Sequence, residues 1–101
     1  DPANDSRTGV LKQVETLLSD GLQQLYLSLP ESRRMAFKLK GEQIANKITD
    51  MIVTGKTKVK EIWSLISSWL GTISGVNKYF VEQEIKIKTD RIMQYAETVH
   101  A

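Results

Sequence analysis

The chain of 101 residues contains no cysteine and a single histidine, His100, next to its C-terminus. Without thiols it has no disulfide framework, no cysteine nucleophile and no thiolate metal site. With this one imidazole, histidine-based triads and histidine-rich metal sites are excluded too. Two prolines and six glycines are too few for a fibrous or low-complexity chain. No apolar run reaches the ~18 residues of a membrane-spanning helix. The net charge of +2 names no partner by itself. These absences leave one small domain that must stabilise itself by burying apolar side chains. They imply no cofactor and no metal.

The apolar pattern is helical almost throughout. Val10, Leu11, Val14, Leu17, Leu18, Leu22 and Leu25 fall on one stripe at about 100° per residue and predict a helix over 7–27. Gly21 lies on that stripe, where a neighbouring helix could approach. Leu29-Pro30 ends the helix, because the residue before proline is pushed out of the α region. A second helix over 30–53 follows, with Phe37, Ile44, Ile48, Met51 and Ile52 as its face and Gly41 and Ala45 beside it. Thr54-Gly55 is a stop, with Gly55 suited to a left-handed cap. Thr57 is placed to cap a third helix over 58–70, and Ser74 or Gly75 opens a fourth over 75–99. Ile85-Lys86-Ile87-Lys88 alternates like a strand but has no partner strand. The resulting expectation is an all-α domain, a compact antiparallel four-helix bundle over 7–101. A polar, disordered segment 1–6 precedes it and carries a three-residue glycosylation pattern, Asn4-Asp5-Ser6.

Catalytic chemistry finds little material. Glu82 and Glu84 point about 200° apart on a helix, and Glu42 and Asp50 sit roughly 12 Å apart along theirs. Glu-x-x-His occurs once, at Glu97–His100, and with a single histidine the paired Glu-x-x-His arrangement of bundle di-iron sites is missing. Gly55-Lys56-Thr57 resembles the end of a Walker A motif, but Asp50 stands where the earlier glycine belongs, so it reads as a turn. Ser64, Ser67 and Ser68 have no base nearby in sequence. The expectation is a protein that is not an enzyme and has no catalytic residues.

Charge is distributed unevenly. Residues 1–32 carry a net −3, residues 33–60 a net +6 and residues 61–101 a net −1. The basic set is Arg33, Arg34, Lys38, Lys40, Lys47, Lys56, Lys58 and Lys60. Arg33, Lys40 and Lys47 recur every seven residues and so line one edge of the second helix. Such a strip suits a polyanion, as in a nucleic-acid-binding coat or architectural protein, unless it is buried against Glu15 and Asp20 of the acidic first helix.

The third helix holds both tryptophans on a broad apolar arc. Trp63, Leu65 and Trp69, with Met35 and Leu39 of the second helix, form the predicted apolar interface. Trp69 is expected to be the more exposed tryptophan because Gly71 ends the helix just beyond it. Leu27, Met35, Leu39, Val53, Tyr79 and Met93 fall off the core stripes, which suggests a further contact surface. The leading expectation is therefore a structural or interaction protein that forms a homo-oligomer or packs on a protein partner through apolar helix surface. The alternatives are nucleic-acid binding by the basic strip, and capture of a membrane surface, lipid or other apolar ligand by an opening bundle.

Overall fold

A computed structural model describes residues 2–73 and 75–100, with side chains from Arg7 onward. The first helix begins at Pro2, ahead of the expected start at 7, and the glycosylation pattern Asn4-Asp5-Ser6 falls on side chains outside those described. The described residues form five helices and no strand: α1 (Pro2–Ser19), α2 (Gln23–Ser28), α3 (Glu31–Val53), α4 (Val59–Leu70) and α5 (Lys78–Val99). The four long helices close a ring in which α1 packs on α3, α3 on α4, α4 on α5 and α5 on α1. Val14, Ile48, Ile52, Ile62, Ile66 and Ile92 meet at its centre with no exposed surface. Chain direction alternates. Arg7 near the start of α1 bonds Asp50 near the end of α3, and Lys40 in α3 reaches Ser68 at the end of α4. The all-α bundle predicted by the periodicity is present.

The expected first helix is two. After Ser19 the backbone turns at Gly21, whose φ is +78°, and resumes as α2. Bonds from Asp20 N to Thr16 O and from Leu22 N to Ser19 O, both 3.1 Å, close the end of α1. An L-residue is strained in the left-handed region that glycine enters freely. Gly21 is thus a turn-former and not a gap for a crossing helix. The stripe hides the break because Leu22, on its far side, still reaches the core.

The stop at the end of α3 is as read. Gly55 has φ +73°, Lys56 N donates to Met51 O at 2.9 Å and Gly55 N to Ile52 O at 3.1 Å, the paired bonds of a Schellman cap. His100 closes the same corner from α5, its Nε2 in a hydrogen bond with Ile52 O. Two caps differ from expectation. The Thr57 hydroxyl bonds back to Met51 O, and Lys58 takes the cap position of α4 without a side-chain bond. Of the two expected openers of α5, Ser74 lies outside the described residues and Gly75 precedes the helix. Asn77 caps it instead, its side-chain oxygen accepting from Tyr79 N at 2.8 Å.

Two interactions lock helix positions. Trp69 lays its ring on Phe37, with centroids 4.8 Å apart and planes 18° apart, and its Nε1 donates to Phe37 O at 3.0 Å. A Cβ on Gly41 would stand 2.9 Å from Cζ2 of that indole, so α3 admits the ring only because position 41 has no side chain. On the other side of the bundle Lys88 is 1% exposed. Its Nζ donates to Asp20 O at 2.7 Å and to Glu84 Oε1 at 2.9 Å, which ties the end of α1 to α5. The apparent strand alternation is inverted here, since Lys88 is buried while Ile87 is exposed.

Both locks can be broken by single substitutions. Gly41→Ala is expected to destabilise the fold by about 1–3 kcal/mol through overpacking. Gly9→Ala, in α1 with nothing within 4 Å of the added methyl, is expected to stabilise it by about 0.5–1 kcal/mol. Denaturant unfolding measures both, and equal effects would contradict the notch. Lys88→Ala is expected to cost about 2–4 kcal/mol, because it leaves a helix-end carbonyl and a half-buried carboxylate unpartnered.

Candidate interaction surface on α3 and α4

Folding divides the basic strip. Arg34 is withdrawn from it: Nη2 donates to Leu27 O at 2.6 Å, Nε to Leu29 O at 3.0 Å, and the guanidinium lies 6.0 Å from the Tyr26 ring. This residue secures the end of α2. Lys40 donates to Ser68 O at 3.0 Å and completes the C-terminus of α4, where a cation also meets the negative end of the helix dipole. Lys38 lies on another side of α3, beside α1, lining clefts with Ser19. Arg33, Lys47, Lys56, Lys58 and Lys60 are exposed.

Among the described residues no ion pair joins the acidic first helix to a lysine of the strip. Asp20 pairs with Arg91 at 2.6 Å, Asp50 with Arg7 at 2.8 Å and Glu84 with Lys88 at 2.9 Å. All three pairs take their cations from outside residues 33–60. Lys47 and Lys60 instead face each other across a depression of about 490 Å³ between α3 and α4, lined also by Met51, Glu61, Ser64 and Leu65. Lys60 and Ser64, one helical turn apart, also wall a second depression, of about 370 Å³, that holds Val59 and Trp63. The surface of α4 is thus a lysine–serine ridge with apolar ground on either side. Lysine stems cover such ground while their ammonium groups stay in water.

The predicted apolar interface is not one patch. Trp69 is 5% exposed and Trp63 44%, the reverse of the expected order. The end of α4 does not expose Trp69, because the Gly41 notch draws its ring inward toward α3. Leu65 is partly buried against the core. Met35 and Leu39 are exposed on one face of α3, but Leu39 is displaced about 100° around the helix from its neighbour Lys40, so this pair points away from the α3–α4 seam. Of the residues read as lying off the core stripes, Met93 packs against the core and the other five are exposed. Sequence reading missed Lys88. The available signal was its place within the stripe of Ile85 and Ile92, four residues after Glu84.

Among the described residues no group of acidic or histidine side chains could hold a metal, and no helix is long and apolar enough to cross a membrane.

The tryptophans provide a direct check. Trp69→Ala is expected to cost about 3–5 kcal/mol and Trp63→Ala less than about 1 kcal/mol. In Trp63→Phe the remaining emission should be blue-shifted and resistant to iodide. In Trp69→Phe it should be red-shifted and readily quenched.

No family model, curated protein or solved structure matches the chain, so a functional reading rests on this geometry.

Proposed function

We propose that the domain is a non-catalytic interaction module that docks a protein partner along the seam of α3 and α4. The observation that carries this reading is the placement of Lys47 and Lys60 on opposite walls of a depression that also contains Met51 and Leu65, with Trp63 exposed beyond the ridge. Tryptophan beside exposed cations suits an interface with an apolar centre and a polar rim. The complementary partner presents an apolar helical stripe flanked by aspartate and glutamate. Another protein or a second copy of this chain supplies that helix.

Binding of a polyanion such as nucleic acid is the second reading. It is favoured by Lys56 and Lys58, which extend the lysines of the seam around the turn into α4.

An acidic amphipathic helical peptide and a duplex DNA, each labelled, separate the two. Docking of a protein predicts peptide binding that both Trp63→Ala and the double change Lys47→Gln, Lys60→Gln weaken. Polyanion binding predicts DNA affinity indifferent to Trp63→Ala. Its salt slope should become shallower by about 0.9 for each phosphate that the double change leaves without a lysine. Failure of the peptide to bind at low salt, together with a monomer in sedimentation at every concentration tested, would overturn the leading reading.

A further inference from the structure

We infer that the cleft between α1, α2 and α3 is a binding site for a small amphipathic anion: an apolar body of two to three rings, bearing one carboxylate or sulfonate. The cleft is separate from the α3–α4 seam and does not depend on the function proposed for it. Its volume is about 330 Å³, and Ser19, Leu22, Gln23, Tyr26, Phe37 and Lys38 line it. That size lies at the small end of ligand pockets, which are mostly apolar with a few polar groups that set orientation.

The floor of the cleft is preformed. Phe37 stacks on Trp69, and Trp69 is fixed by its bond to the Phe37 carbonyl. Tyr26 stands tilted 39° to Phe37 with centroids 6.5 Å apart, so aromatic faces bound the cleft on two sides. The roof is a short helix anchored at its ends, by Leu22 and Leu29 in the core and by Arg34 on the Leu27 and Leu29 carbonyls. Helix α2 has six residues, none fully buried, and hangs between the left-handed turn at Gly21 and the extended backbone at Pro30. Among the described residues it makes no extensive contact with another helix. The fold therefore builds a rigid aromatic floor and leaves the space above it unfilled by its own side chains.

Charge selects the ligand. Lys38 is the one charged residue lining this cleft and forms no ion pair among the described residues. It also lines the adjoining space of about 150 Å³, where Glu15 and Glu42 stand. A single anionic head can meet Lys38 and the Gln23 amide, while a second negative charge extending toward α1 would meet two carboxylates. Monoanions are favoured over dianions.

Fluorescence titration of the full chain with anilinonaphthalene sulfonate tests the site, with the neutral N-phenylnaphthylamine and decanoate as companions. The expected result is a saturable rise in emission that decanoate reverses. Ser19→Phe or Gln23→Phe, each at an exposed position on the rim, should abolish it while circular dichroism shows the fold retained. Lys38→Glu should weaken the sulfonate probe roughly tenfold and leave the neutral probe within about twofold. Trp63→Ala should change neither. Absence of a saturable rise would overturn the inference. So would binding that survives both rim variants, or binding abolished by Trp63→Ala, which would place the probe on α4.

Discussion

The close approach of the Trp69 indole to the backbone of Gly41 is the constraint on which the rest of the surface depends. A helix-interior glycine lowers intrinsic helix stability by about 1 kcal/mol relative to alanine. Here the missing side chain admits a large aromatic ring, stacked on Phe37 and with its polar edge satisfied by the Phe37 carbonyl. Once Trp69 points into α3, the helical period fixes the rest of α4. Trp63, six residues earlier, is turned about 120° away and left at the surface. One tryptophan belongs to the core and the other stays at the surface because of a single absent methyl group.

Charge follows a similar division. Lys88 is buried, and removal of an ammonium group from water is costly unless it is hydrogen-bonded and paired. Asp20 supplies a backbone carbonyl and Glu84 a carboxylate, while the Asp20 side chain turns outward to Arg91. The acidic group that could have screened the basic strip is thereby engaged by α5. Asp50 is engaged in the same way by Arg7. The uneven charge of the sequence survives folding as a lysine-rich seam because, among the described residues, Asp20, Asp50 and Glu84 pair with Arg91, Arg7 and Lys88.

Helices, stripes and the glycine stop at residue 55 were legible because each rests on local periodicity or local backbone chemistry. What was hidden depends on which of two similar residues the tertiary structure selects. Gly21 and Gly41 both lie on or beside apolar stripes, and only the three-dimensional structure shows that one makes a turn and the other a notch. Trp63 and Trp69 share one apolar arc, and the notch decides between them. Lys88 resembles other surface lysines in composition. Its burial depends on a carbonyl that becomes available only when α1 stops at Ser19. The basic residues were found by counting, but the structural roles of Arg34 and Lys40 required the positions of the Leu27, Leu29 and Ser68 carbonyls.

The two candidate sites have a fixed relation through α3. Lys38 and Lys47 are nine residues apart, which places them about half a turn from each other around the helix axis. The aromatic cleft and the lysine seam therefore open on opposite sides of one rigid element, with Trp69 packed against α3 beside the cleft. Simultaneous occupancy meets no steric conflict. Coupling between sites requires an element with two arrangements that both ligands bias. Trp69 is stacked, hydrogen-bonded and confined by Gly41, and so offers one arrangement only. A ligand in the cleft and a partner on the seam should accordingly bind with additive free energies.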